Sequence, residues 1–557
     1  MLARLHSHAV LGMEACPVEV ETDLGWGLPA FNIVGLPDTA VRESRERVRA
    51  GMANSGYDFP LRRITVNLAP ADVRKEGPCF DLPIALSLLA ASGQFKAGHL
   101  EQYSAAGELS LDGAVRRVSG ALSMAEGACK TGHRGILLPA ANASEAALVE
   151  GIEVIAVENL KQAVEFLTGE TTITPTRVDT AGLLAAAGSG NLDLADVKGQ
   201  EHARRALEVC AAGGHNLLMI GPPGSGKTML ARRLPSILPP LDIREAIEVT
   251  RIYSVAGLLS DGKALVARRP FRSPHHTISH VGLAGGGGKP RPGEVTLSHL
   301  GVLFLDELPE FSRVALETLR QPMEDGRVAI SRALARVTYP ASFMLVAAMN
   351  PCPCGHLGDS RKECVCPPHK VASYRGRVSG PLMDRIDVAV EVPSLSKKEM
   401  LSERQREASA PVAVRVAAAR KCQSARFGSE RARQPARPVS APATETAKSL
   451  STDTPVAVDA TEAGDATETG DATEAGVFCN AQMTSGRAER YCRLDASASQ
   501  LLESAIDRLG LSARAHHRIL KVARTVADLD GAADIGPAHL AEAISYRSID
   551  RRGWDGL

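Results

Sequence analysis

Residues 217–234 read LLMIGPPGSGKTMLARRL, a short apolar run, a glycine-rich turn and the start of a helix. Gly221, Pro222, Pro223, Gly224, Ser225, Gly226, Lys227 and Thr228 form the spacing of a phosphate-binding loop, in the strand-then-helix setting that gives such a match weight. Glycines let backbone N–H groups curl around phosphate oxygens, and the helix N-terminus adds the positive end of its dipole. Lys227 is suited to neutralise the β- and γ-phosphates of ATP, and Thr228 to reach Mg²⁺.

A loop of this kind needs a partner, and GVLFLDELPEF (301–311) supplies an apolar strand ending in Asp306 and Glu307. Asp306 is suited to share Mg²⁺ with Thr228, and Glu307 to orient and deprotonate the attacking water. A third apolar run, FMLVAAMN (343–350), ends in Asn350, whose amide could hold that water or touch the γ-phosphate. Standing alone, an Asn there would read as a chain turn. Phosphoryl transfer also needs positive charge at the leaving group, often from an arginine of a neighbouring subunit. Arg385 in GPLMDRIDVAVEVP and Arg514 in LSARAHHRIL are the candidates.

Around this centre the 557 residues are too many for one core, and the length suggests roughly three or four domains. Residues 1–170 mix alternating runs such as RRITVNLAP with helical stretches such as DLPIALSLLAASG, an α+β pattern. GETTITPTRVDTAGLLAAAGSGN predicts a linker over 171–193, and strands interleaved with helices over 194–395 predict a parallel sheet with crossovers. Helical segments follow at 396–430 and 478–557. Between them, 431–477 contains DATEAGDATETGDATEAG, which lacks large apolar side chains and is predicted to be a disordered tether. Acidic and basic residues balance at 64 each, so any nucleic-acid surface must be local. The start of the chain has no signal-peptide pattern and no run of eighteen apolar residues occurs, so a cytoplasmic protein without a membrane partner is expected.

Four of the eleven cysteines crowd into NPCPCGHLGDSRKECVCPPH (350–369). Cys352, Cys354, Cys364 and Cys366 form two Cys-x-Cys pairs nine residues apart, able to offer four thiolates to a structural Zn²⁺, with His356 and His369 as spare ligands. Reduced, unliganded thiols are the other reading, and four protein ligands would leave no open position for catalysis. The remaining seven cysteines are scattered and read as reduced core residues.

Taken in order, these motifs with SARAHHRILKVARTVADL (512–529) resemble the magnesium-chelatase-like AAA+ family. RPFRSPHHTISHVGLAGGG, NPCPCG and SGPLMDRIDVAVEVP are similar to its YifB/ComM branch, over nearly the whole chain except 431–477. The resemblance implies a multidomain α/β architecture: a Lon-protease-like N-terminal domain of the ribosomal S5 domain 2-like type, a P-loop AAA+ core with hairpin inserts and a C-terminal helical lid. It implies a homo-hexamer with ATP between subunits, Arg385 at the arginine-finger position and Arg514 at that of sensor 2. On this reading the cysteine stretch leads from Asn350 toward Arg385, and a zinc clip there would stiffen the join between two parts of the ATP machinery.

The 79 residues from Lys227 to Asp306 leave room for an inserted hairpin near Arg272, His275, His276 and Gly285 to Gly288, and DGRVAISRALARVTYPASF suggests a second carrying Arg327, Arg332 and Arg336. In a ring pore these could grip nucleic-acid phosphates without sequence preference. RKEGPCFDLPIALSLLAASG resembles the serine loop of Lon-type proteases, and GELSLDGAVRRVSGALSMAEGACKTGHRGILLP their lysine segment. Here Cys79 stands at the serine position and Ser123 at the lysine position, so no amine base is expected unless Lys75 or Lys130 substitutes, and a peptidase is disfavoured. The functional expectation is a DNA motor of the helicase or branch-migration type, acting on single-stranded, branched or recombinase-coated DNA during natural transformation. A chelatase-type remodelling ATPase is the alternative.

Overall fold

Alternate residues of the first strands turn inward, Val18, Val20, Thr22 and Leu24 on one and Ile64, Val66 and Leu68 on another, which is the period of a sheet with one face on a core. The computed structural model describes residues 2–95, 99–186, 188, 192–260, 262–287, 290–332, 335–359, 361–396, 406–431, 479–509 and 512–547. The predicted tether at 431–477 therefore lies almost wholly outside the described residues. Strands β1 (Leu2–Leu11), β2 (Glu14–Gly25), β3 (Ala30–Val34), β4 (Arg63–Ala69), β5 (Tyr103–Ala105), β6 (Gly135–Pro139) and β7 (Glu153–Val157) form one seven-stranded sheet, ordered β3-β4-β2-β1-β5-β6-β7. Helices α1 (Thr39–Asn54), α2 (Asp81–Ala91) and α3 (Ala121–Lys130) share a core that runs from Leu5 to Leu167.

The stretch read as a linker contains a short helix, Thr180–Ala186, with none of its residues buried. Asp179 caps it by accepting from the Gly182 N–H at 2.9 Å, a local bond that the Thr- and Gly-rich composition concealed.

The second sheet is parallel throughout and five-stranded, ordered β9-β10-β13-β8-β14. Its strands are β8 (Leu217–Ile220), β9 (Phe271–Arg272), β10 (Val302–Leu305), β13 (Met344–Met349) and β14 (Val388–Glu391), while β11 (Arg327–Arg332) and β12 (Ala335–Pro340) pair as a separate antiparallel hairpin. Burial on both faces explains the continuous apolar runs of these strands. Leu217, Met219, Phe304 and Val346 face one core, and Leu218, Leu303, Leu345 and Ala347 face the other. The hairpin supplies Val328, Ile330, Val337 and Tyr339 to the second core. The first core is shared with α4 (Glu201–Gly213) and with the C-terminal helices α5 (Ser409–Arg431), α6 (Ala496–Leu509), α7 (Ala513–Leu529) and α8 (Pro537–Ser545).

Helix α3 joins the two sheets. Leu122 and Leu148 of the first domain pack with Leu241, Ala246 and Val249 of the second, Arg251 pairs with Glu126 at 3.0 Å, and the Gly120 N–H donates to the Ser254 carbonyl at 3.0 Å. The segment resembling a protease's lysine stretch is thus a docking helix. Among the described residues no helix is long and apolar enough to cross a membrane.

At the start of β8 and β14, Asp387 ties the helical region to the sheet. Its carboxylate lies 3.5 Å from His215 Nδ1 and 3.6 Å from Arg518 Nε on α7, and accepts from the Asn216 N–H at 3.1 Å. Burial pushes this carboxyl up, but His215, Arg518 and the amide together outweigh it and hold it at about 2. A folded-state value below the unfolded one contributes stability above about pH 4 that is lost as pH falls toward 2, roughly 2–3 kcal/mol for a shift of this size. Asp387→Asn is therefore expected to lower the melting temperature at pH 7, and the gap from the unsubstituted protein should narrow below pH 4. A gap that stays constant in thermal scans from pH 7 to pH 3 would refute this account.

Candidate nucleotide-binding site

Where β8 ends, the chain turns at Gly224 and Gly226, both with left-handed φ (75° and 96°), and enters the helix Lys227–Arg233. A side chain at Gly221 would meet the Val392 carbonyl at 2.1 Å, so only glycine fits there. The Lys227 ammonium lies inside the curl of its own loop, donating to the carbonyls of Gly221 (2.7 Å) and Pro222 (2.9 Å) and approaching Asn350 Oδ1 at 3.3 Å. Burial lowers it to about 8 against the opposing pull of Asp306. A buried cation held mainly by carbonyl dipoles is poised for a polyanion.

The strand register brings the other groups to the same edge. Thr228 Oγ1 donates to Asp306 Oδ2 at 2.7 Å, which places together the hydroxyl and carboxylate that could hold Mg²⁺. The Glu307 N–H donates to Asp306 Oδ1 at 3.0 Å, with Glu307 itself at a left-handed φ of 54°. Its carboxylate is 57% exposed, open to a water, and His276 Nδ1 lies 3.3 Å from Oε2. That contact arises because β9 pairs beside β10, so the chain leaving β9 passes the end of the strand carrying Glu307. Thirty residues of separation hide it from any local reading of the sequence.

Arg385 and Arg514 stand elsewhere. Arg385 precedes β14, at the end of the sheet opposite to the phosphate loop. Its carbonyl accepts from Asn216 Nδ2 at 2.9 Å, and its guanidinium donates to the Pro381 carbonyl and pairs with Glu324. Arg514 is exposed in the first turn of α7, one turn before Arg518, which reaches Asp387 at that same end. The fold brings neither arginine to this chain's own Lys227.

The residues expected to meet DNA divide into groups. Arg272 is gripped in a two-pronged pair by Glu294 (2.7 and 2.8 Å), which occupies the fork a phosphate would need. His275 is exposed and rests on His276, ring centroids 4.1 Å apart. Gly285–Gly286 pairs with Arg291–Pro292 as a small ribbon, and Gly288 lies outside the described residues. Arg336 is exposed on the hairpin, Arg327 opens it, and Arg332 faces Ala335 across the turn.

Past Asn350 the four cysteines converge. Sγ–Sγ distances are 3.4 Å from Cys352 to Cys354 and 3.6 Å from Cys364 to each of them, and the Cys354 N–H points at Cys366 Sγ at 3.4 Å. Tetrahedral zinc at about 2.3 Å spaces sulfurs roughly 3.8 Å apart, so the donor set fits such an ion. Among the described residues this is the one cluster of three or more His, Cys, Asp or Glu able to hold a metal.

In the first domain the Cys79 thiol is pushed to about 12 by burial and by Asp81. Ser123 donates to the Met13 carbonyl at 3.0 Å and Lys75 Nζ donates to the Pro70 carbonyl, so both have partners away from the thiol. A thiol this basic is not a nucleophile at neutral pH.

Comparisons with known proteins agree with this geometry. Residues 193–400 match the family described as magnesium chelatase, subunit ChlI; residues 20–142 match subunit ChlI of Mg-chelatase; residues 406–547 match the ChlI C-terminal family. The chain is 43% identical to YifB of Salmonella typhimurium over 99% of this chain and 98% of that protein. It is 41% identical to the competence protein ComM of Haemophilus influenzae over the same shares. A weaker likeness, 30% over 152 residues, links a quarter of the chain to Lon protease 2 of Bacillus subtilis, 26% of that protein. With its phosphate loop, its paired acidic strand end and these full-length relatives, the chain belongs to the magnesium-chelatase-like AAA+ ATPases, in the group that includes YifB and ComM.

Proposed function

We propose that this ATPase is a hexameric DNA motor that drives branch migration during recombination of incoming DNA in natural transformation. The observation that carries the reading is the placement of Arg385 and Arg514 across the sheet from Lys227. On that placement neither Arg385 nor Arg514 serves the phosphate loop of its own chain, and a ring would offer one of them to the adjacent subunit's nucleotide. The likeness to a competence protein supports the transformation context, and exposed Arg336 and His275 supply charge and hydrogen bonds suited to a threaded strand.

In this reading Lys227 neutralises the β- and γ-phosphates, Asn350 positions the γ-phosphate or the water, and Glu307 accepts the water's proton. Thr228 and Asp306 would hold Mg²⁺, which supplies further neutralisation of phosphate charge. The four cysteines would hold a structural Zn²⁺. Glu307 is tethered by His276 before it acts, so its carboxylate must leave that contact to take a proton freely.

Purified protein is expected to move synthetic Holliday junctions in an ATP-dependent manner, with junction DNA stimulating hydrolysis and Lys227→Ala abolishing both. Mixing Lys227→Ala with Arg385→Ala subunits should restore part of the hydrolysis, since mixed rings contain sites with an intact loop and an intact arginine. Junction-independent ATPase, or no recovery on mixing, would contradict the DNA motor and the shared site respectively. His276→Ala should raise basal kcat several-fold with the KM for ATP unchanged. It should also shrink the stimulation by DNA. An unaltered ratio of stimulated to basal rate would show that the tether has no part in control.

A further inference from the structure

The cysteine cluster touches the phosphate loop. Gly355, next to Cys354, adopts a left-handed φ of 82°, and a Cβ built on it would lie 2.5 Å from Pro223 Cδ and 3.7 Å from Asn350 Cγ. Its backbone therefore rests directly on the Pro223 ring, with the Asn350 amide alongside. The turn is closed by the Gly355 N–H donating to the Cys352 carbonyl at 3.0 Å, and Cys352 is fully buried. On the far side Arg375 Nε donates to the Pro351 carbonyl at 3.1 Å, which anchors the peptide between Asn350 and Cys352.

Two short paths thus lead from the sulfurs to the phosphate site. One runs from Cys354 through Gly355 to Pro223, and the other from Cys352 through Pro351 to Asn350 and on to the Lys227 ammonium at 3.3 Å. The sulfurs of Cys352, Cys354 and Cys364, at 3.4–3.6 Å, are too far apart for disulfides, and with Cys366 all four lie within 4.8 Å of one another, so that as thiolates they repel unless a cation lies among them. The conformation of the turn is thereby linked to the ion, and the phosphate loop leans on the turn.

Resting on the structural-zinc reading above, we propose that a soft divalent cation of the zinc class in the Cys352–Cys354–Cys364–Cys366 site braces the phosphate loop through Gly355, so that occupancy of the site sets the affinity for ATP. Binding releases the thiol protons to solvent and changes no oxidation state. Metal supply, or oxidation of these thiols by a cellular oxidant such as a peroxide, would then govern whether the motor can load nucleotide.

The test uses the full-length protein, zinc analysis by mass spectrometry, and the fluorescent nucleotide mant-ATP with Mg²⁺. The unsubstituted protein should carry one zinc per chain. Cys364→Ser/Cys366→Ser, changed at the pair farther in sequence from Asn350, should lose zinc and bind mant-ATP about tenfold or more weakly, the scale on which lost preorganisation shows in binding. Gly355→Ala should keep its zinc, because all four thiols remain, and still bind mant-ATP more weakly, because the added methyl group displaces Pro223. This second variant decides the matter even if the cysteine variant misfolds, which far-UV circular dichroism would reveal. Zinc absent from unsubstituted protein made in zinc-supplemented medium would overturn the metal reading and the brace with it. Zinc present, with mant-ATP affinity within twofold of normal in Gly355→Ala or in a folded zinc-free variant, would overturn the brace alone.

Discussion

Lys227, Asp306 and Asn350 meet only if three parallel strands end at one level, and that register is the constraint on which the nucleotide site depends. Ile220 faces Met349, and Leu305 faces Ala347, so the three chains leave the sheet side by side. Asn216 helps to set this from the opposite end. Its Oδ1 accepts from the Leu345 N–H at 2.8 Å, its carbonyl from the Val388 N–H at 3.0 Å, and its Nδ2 donates to the Arg385 carbonyl at 2.9 Å. One amide therefore links the strand that leads to Lys227, the strand that leads to Asn350 and the backbone of Arg385. A slip by one residue would exchange the two faces of a strand and bury the wrong side chains as well as separating the site.

In the first domain the two segments that resemble a protease's have their side chains engaged inside the protein. The stretch around Cys79 still turns into a buried helix, yet the thiol is held protonated and sealed. Helix α3, in the lysine-like segment, instead carries Leu122 and Glu126 to the ATPase domain. That helix thus forms an interface with the second domain.

The phosphate loop, the acidic strand end and Asn350 were legible in the sequence because their chemistry is local: a few contiguous residues must present backbone amides, a cation or a carboxylate at a strand end. The doubly covered sheet was legible for the same reason, from its unbroken apolar runs. Features created by topology were not. The approach of His276 to Glu307 depends on β9 lying beside β10, and the contact of Gly355 with Pro223 depends on β13 lying beside β8. Arg272 had the composition of a phosphate contact, but its partner Glu294 lies twenty-two residues away and becomes a neighbour only through folding. The helix at Thr180–Ala186 was missed because its single cap sits in a segment with no amphipathic stripe.

The core shared by the sheet and the C-terminal helices has a mechanical consequence. Val390 and Met219 pack in the same cluster as Ile519, Val526 and Leu540, and the Ala389 N–H donates to the Tyr546 carbonyl at 3.0 Å. A hinge between sheet and helices would have to open that cluster to water, whereas close-packed interiors resist such continuous deformation. Sheet and helical cap thus behave as one stiff lever arm. A displacement at the phosphate loop is therefore carried to α7 and α8 without loss at a joint.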